Sequence, residues 1–320
     1  MVPADGAILR RILPTLPTGR RHGLSGVALV SFETAQARTS WGLAHRRRVA
    51  LLEGDVVRAS AECYDLTGRL DAQPVRICGM AVAGHGDADQ DDDTSAAALI
   101  EQIAEEATCD GADLALLFRT ANSPAPVPAG FDAVPITDVT VTVVESVRRG
   151  APMTLVRGGE DRDLDAIAAM GGVRAGPFRF HLERDAAFIK HAITRQRLLA
   201  GLGSTGARQL EFVIAEEGIT AAAYVVISII AGAWVIEECG DRDPSGARVG
   251  AILQALIARE PVEARPVIRA WLPPGFLPPQ VVVTPASPAP PRLLVRALSP
   301  RGRVAQLSAA DVMYWLNDVF

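Results

Sequence analysis

The sequence predicts a mixed α/β protein with mostly antiparallel sheets, built twice along the chain. Three observations carry this reading. The 320 residues are about twice a usual domain of ~100–200. A succession of strand meander, polar loop, helix and strand occurs before residue 150 and again after it, combining antiparallel strands with a crossover helix. The 19 uncharged residues Gly218–Ile236 would reach across a bilayer, but they are rich in Val and Ile, break at Ala231-Gly232 and lie between acids. They read as two buried strands around a tight turn, so no membrane span is expected.

The elements follow in order. Ile8–Ser25 reads as an N-terminal arm or short helix. Val27–Phe32, Arg48–Glu53, Val56–Tyr64 and Val75–Ala83 read as strands, with a tight turn at Gly54-Asp55 and a looser one over 66–72. A helix over 95–110 follows the acidic loop Gly84–Ser95, capped by Thr94 or Ser95 and closed by Gly111. Leu114–Phe118 is a buried strand, and Phe131–Val144 returns as strands after a proline-rich loop. The second cycle has a strand at Met153–Arg157, helices at Asp161–Met170 and Asp185–Leu199, and a meander of Gln209–Glu216, Thr220–Ile230 and Ala233–Glu238. A helix over 246–259 and a strand at Val267–Leu272 complete it. A proline-rich linker, Pro273–Pro291, leads to a strand at Leu293–Leu298 and a last helix opening at Ser308 with a loose capping box to Asp311.

Composition excludes several classes. With 49% hydrophobic and 22% charged residues the chain is neither wholly disordered, collagen-like nor a coiled coil. A net charge of −5 argues against a nucleic-acid partner. Of 32 basic residues only Lys190 is a lysine, a skew that reads as codon bias. Cys63, Cys78, Cys109 and Cys239 form no paired motif, so a reducing cytoplasm is expected. His22, His45, His85, His181 and His191 lack metal-like spacing, and no metal site is expected.

Residues from about 27 to 145 resemble the GNAT acyltransferase fold. The markers are GMAVAG (Gly79–Gly84), the helix 95–110, ALLF (Ala115–Phe118) and AGF (Ala129–Phe131). A tandem arrangement over 1–298 resembles the two-domain Eis-like group. The resemblance implies a first GNAT-like domain at 1–150, a second at 151–298 and a helical tail at 299–320. It also implies an N-acyltransferase that passes an acetyl group from acetyl-CoA, its co-substrate, to a small-molecule amine or a protein amino group; a homo-oligomer is compatible with it. Ala81–Gly84 should lie beside Ala115–Phe118 and diverge towards Gly84. The cofactor positions implied are Val82, Ala83, Gly84, His85, Gly86, Thr94 and Ser95. The chain's terminal carboxylate, at Phe320, would be the catalytic base; the bland alternative is a tail docked on the second domain.

Two departures from the family pattern favour an alternative, a catalytically inactive GNAT-like module that binds a ligand or partner. The family's phosphate loop uses glycines, an arginine and a helix N-terminus to hold a diphosphate. Here five aspartates stand between residues 87 and 93 without Lys or Arg. Two like charges ~4 Å apart repel by ~1 kcal/mol in water and ~4 near a protein surface, so aspartates facing a diphosphate would offset a whole millimolar affinity of ~4 kcal/mol. The family's Tyr, which protonates the leaving thiolate, is absent from Thr120–Phe131, where three prolines discourage a helix.

Two further motifs carry chemistry-bearing residues. Asp87, Asp89, Asp91 and Asp93 alternate as in a calcium loop, but Asp92 and Ala98 stand where Gly and Glu are needed. Gly240, Arg242, Gly246, Arg248 and Gly250 open the second domain's helix, either as a structural turn or as an anion site.

Overall fold

Ser25 decides the start of the molecule. Its side chain accepts from the Ala28 amide, and the chain runs as a helix from Gly26 to Ala37. Val27–Phe32, expected as a strand, is therefore helical. The buried positions Leu29, Phe32, Glu33 and Gln36 carry the 3.6-residue period, which a six-residue apolar run conceals. The computed structural model describes the chain except residues 5, 17–20, 86–92, 120–126, 135, 137, 145–154, 286–292, 304–306 and 319–320.

In the first half β1 (Val2–Pro3), α1 (Gly6–Ile12), α2 (Gly26–Ala37) and α3 (Ser40–His45) precede the meander β2 (Arg46–Glu53), β3 (Val56–Leu70) and β4 (Gln73–Gly84). The loose turn expected over 66–72 is instead a tight hairpin. Asp71 and Ala72 take positive φ, 48° and 64°, the conformation of a two-residue turn matched to strand twist. This lengthens β3 to 15 residues. Next come α4 (Asp93–Cys109), β5 (Leu114–Phe118), β6 (Asp132–Ala133) and β7 (Val139–Val143).

The second half contains β8 (Leu155–Gly158), α5 (Leu164–Ala175), β9 (Phe180–Leu182), α6 (Ala186–Leu202), β10 (Arg208–Glu217), β11 (Thr220–Ile230), β12 (Ala233–Asp241), α7 (Ala247–Ile257) and β13 (Ile268–Ala270). The stretch expected as linker holds a strand, β14 (Val281–Pro285), and β15 (Leu293–Ala297) follows. The last helix does not form. Ser308 and Asp311 do make the capping box, around a single 3-10 turn. The chain then extends as β16 (Val312–Met313) beside β9 and closes in a second turn, Leu316–Asp318.

Two sheets result. One runs β1-β2-β3-β4-β5-β15-β6, with β9 joined to β3 and β16 to β9; the other runs β14-β7-β13-β12-β11-β10-β8. The halves exchange strands: β7, from the first half, pairs with β13 and β14, and β15, from the end of the chain, pairs with β5 and β6. On the first sheet α4 covers one face through Leu99, Ile100 and Ile103 against Cys78, Met80 and Ala61. Beside the other face, Leu29 and Phe32 of α2 and Leu199 of α6 pack with Ala50 and Ala83.

Candidate functional site

The first sheet opens where expected in kind, but at a different register. Parallel β4 and β5 pair Ile77 with Leu114 through Met80 with Leu117. The residues paired to β5 are thus 77–80 and not Ala81–Gly84. Beyond Met80, the pairing of β4 among the described residues is with β3, from Ala81–Glu62 to Gly84–Ala59, while Phe118 pairs with Leu293 of β15. Gly79 marks the closest packing just before the strands part. A Cβ there would lie 2.8 Å from Leu66 Cδ1 and 3.6 Å from Phe118 Cε2.

Helix α4 starts at Asp93, so Thr94 and Ser95 stand in its first turn and neither is the residue before it. Thr94 is exposed and Ser95 half-buried. Amides in the first turn of a helix lack intrahelical partners and carry a partial positive charge. Val82 is half-buried and packs towards the α4 cluster, whereas Ala83 is buried in the cluster of α2 and α6. Gly84 is buried at the strand's end. Gly86, the aspartates at 87, 89, 91 and 92, and Phe320 lie outside the described residues, as does the side chain of Asp93.

His85 is a tether. Its Nε2 lies 2.8 Å from Ser60 Oγ, its Nδ1 lies 3.0 Å from Thr15 Oγ1, and its amide donates to Arg58 O. With both ring nitrogens engaged and the residue buried, it fastens the N-terminal arm to β3. A further buried network joins α2, β2 and β3: Arg46 and Arg48 hold Glu33 and Glu62, and Tyr64 donates to Glu62. The arginines hold the Glu62 carboxyl well below its ordinary pKa against the opposing effect of burial.

The second sheet repeats the opening and fills it with its own chain. β12 pairs with β13 only from Trp234 to Ile236. At the start of α7 the Asp241 carboxylate accepts from the amides of Arg248 (2.8 Å), Val249 (3.3 Å) and Asp243 (2.8 Å), and from Arg248 Nη1 at 3.0 Å. Gly246, at φ 72°, makes the bend that turns these amides inward. Of the two readings of Gly240–Gly250, the structural turn is the one observed, because the protein's own carboxylate takes the anion position. Between the parting strands sits the C-terminal segment. Trp271, just beyond β13, packs at a tilt against Tyr314 at 4.7 Å and meets Trp315 edge-on. On β12, Glu238 accepts from Arg184 Nη2 (2.6 Å), Tyr224 Oη (2.8 Å) and Asn317 Nδ2 (3.2 Å). Asp318 lies 2.8 Å from Arg184 Nε, and burial pushes its pKa up to about 6.

Sequence reading missed a cleft of about 360 Å³ where α3, β3 and the start of α6 meet. Trp41 and Phe188 supply its apolar lining, with Asp65, Glu183 and Asp185 as its acids and Arg76 as its base. Trp41 also stacks on His45 and packs at a tilt against buried His191. The available signal was Trp41 itself, a large aromatic within a polar stretch, but its partners lie about 150 residues away on α6 and only folding unites them. Among the described residues no group of three or more His, Cys, Asp or Glu is placed to hold a metal ion, and no helix is long and apolar enough to cross a membrane.

No family model and no curated protein matches the sequence. Solved structures do match the fold. A GCN5-related N-acetyltransferase from Anabaena variabilis ATCC 29413 superposes with a TM-score of 0.61 at 12% identity, over 93% of this chain and 72% of that one. The N-myristoyltransferase of Saccharomyces cerevisiae with bound myristoyl-CoA gives 0.52 at 11% identity, over 90% and 76%. A conserved protein from Enterococcus faecalis V583 gives 0.56 at 11%, over 85% of this chain but only 65% of its own length, just under two thirds. At these identities the likeness is one of fold.

Proposed function

From this tandem GNAT-like fold with one open and one self-filled sheet, we propose an acyl-CoA-dependent N-acyltransferase that binds one acyl-CoA per chain, acetyl-CoA being the expected donor. The observation that carries the reading is the parting of β4 and β5 after Met80 and Leu117, with α4 beginning nearby. The gap where β4 leaves β5 is where a pantetheine arm would lie, and the first turn of α4 favours its phosphates. The acceptor is an amine: Asp65, Glu183 and Asp185 beside Trp41 and Phe188 suit a cation with an apolar body. In the reaction the amine nitrogen bonds to the acyl carbon, the C–S bond breaks, the thiolate leaves as CoA, and the amine gives up a proton as the thiolate gains one.

A second reading, a silent module that binds a ligand or partner, is favoured by the five aspartates at 87–93 and by the lack of Tyr in 120–131. Calorimetric titration with acetyl-CoA, paired with thiol release in the presence of small amines, separates the two. The expected outcome is one weak site, at or above the millimolar level of ~4 kcal/mol. It should tighten in the triple variant Asp91→Arg, Asp92→Gly, Asp93→Arg, with a gain that shrinks at high salt. Binding without any thiol release supports the silent module, and a folded triple variant that takes up no acetyl-CoA sinks the acyl-CoA site itself.

A further inference from the structure

Helix α6 crosses the first sheet in step with its rows. Four residues of helix advance about 6 Å, close to the ~6.6 Å spanned by two residues of strand. His191 packs against Trp41, which stacks on Tyr64, and Tyr64 pairs with Gly79. Farther along α6, Leu199 packs in the cluster of Ala50 and Ala83, the row of Ser60. Arg195 stands midway between His191 and Leu199 on the same helix face. The row that it meets is the intervening one, Arg48, Glu62 and Ala81. Ala81 is the first residue of β4 past its pairing with β5.

Arg195 is uncommitted there. His191 and Leu199 are each only 2% exposed, whereas Arg195 between them is half-buried and open to solvent in part. It makes no hydrogen bond or ion pair with the described residues. The acids beneath it are already matched, since Glu33 and Glu62 are held by Arg46 and Arg48. The Arg195 charge is felt by Tyr64 and His191 on this side, and by Arg208 at the start of β10. Arg208 is half-buried too, and Glu237 is the acid that supports its charge. A half-buried guanidinium without a carboxylate forgoes the bidentate pairing that its planar fork is shaped to make.

We propose that Arg195 holds a carboxylate of the acceptor, which is therefore an amino acid rather than a simple amine; the inference rests on the acyl-CoA reading above. In that reading the donor's phosphates go to the first turn of α4, which covers the opposite face of the sheet. The face under α6 is left to the acceptor. Its reacting amine lies at the parting strands beside Ala81, and its carboxylate accepts from the Arg195 guanidinium. A basic side chain adds a second fit, because the cleft of Asp65, Glu183 and Asp185 is lined in part by Phe188, on the same helix as Arg195. Arg195 is thus a specificity-determining residue.

The experiment uses the full-length chain and two readouts, calorimetric binding of the acceptor and thiol release from acetyl-CoA. The probes are L-lysine, L-lysinamide and cadaverine, which share the side-chain ammonium and differ in the carboxylate. L-Lysine should bind about tenfold tighter than the other two. Arg195→Gln should abolish that preference and Arg195→Lys should keep part of it. Melting temperatures should not fall, because Arg195 gives up no native partner. Binding that is absent or equal for the three probes, or a preference that survives in Arg195→Gln, overturns the proposal. A preference that depends on Arg195 but comes without thiol release keeps the carboxylate site and removes the acyltransferase reading instead. Transfer from succinyl-CoA but not from acetyl-CoA, lost in Arg195→Gln, would place the carboxylate on the donor and overturn its assignment to the acceptor.

Discussion

His191 shows what one residue gains from its surroundings. The sequence presents it only as a histidine on a helix, without metal-like spacing. In the fold it packs at a tilt against Trp41 at 4.6 Å, its Nδ1 lies 2.8 Å from Thr39 Oγ1, and burial pushes its pKa down to about 4. The folded ring stays neutral where the unfolded one, near 6.5, takes a proton. Its contribution is therefore complete above about pH 6.5 and is lost as pH falls towards 4, up to about 3 kcal/mol. Asp318 acts in the opposite sense: its raised pKa makes the folded state the better proton binder between about 4 and 6, so stability rises on acidification. Urea unfolding from pH 7 to 4 should thus show a steeper loss for the native chain than for His191→Gln. Equal slopes for the two proteins would remove the assignment.

At the scale of elements, β-branched runs misled and caps informed. Val27–Phe32 looks like a strand because its period is hidden within six residues, yet Ser25, two residues before it, is a helix-capping residue. Asp185 caps α6 in the same way, accepting from the Phe188 amide at 2.7 Å. Asp241 performs the task for α7 from seven residues upstream, and no local pattern announces that. Replacing it with alanine leaves the amides of Arg248 and Val249 without their acceptor. We expect a loss of about 1–2 kcal/mol, the usual cost of a lost N-cap, measured by urea denaturation. The capping box at Ser308 was legible as well, but the residues after it were claimed by pairing with β9. Val312 and Met313 bury completely or nearly so as a strand, and a helix would withdraw their backbone from that ladder.

For the whole molecule the exchange of strands is decisive. β15 stands between β5 and β6 of the first sheet, and β7 between β13 and β14 of the second, so neither half completes its sheet with its own residues. One cooperative unfolding transition is expected by calorimetry. Leu294→Ala, at a fully buried position on β15, should lower that single transition, with a cost of about 2–5 kcal/mol. Two separable transitions, only one of them moved by the substitution, would show that the halves fold independently.

The sequence by itself determined the doubled succession of meander, helix and strand and the buried hairpin of β11 and β12. These follow from periodicity, turn residues and apolar runs, all of which act over neighbouring residues. Only the tertiary structure decided that the opening begins at Ala81, that Asp241 and the C-terminal segment fill its counterpart, and that Trp41 meets His191. It alone decided that β7 and β15 cross between the sheets. A strand carries its own propensity, but its partner is chosen by which sheet edge remains open once everything else has packed, and that choice is not written in any local stretch of the chain.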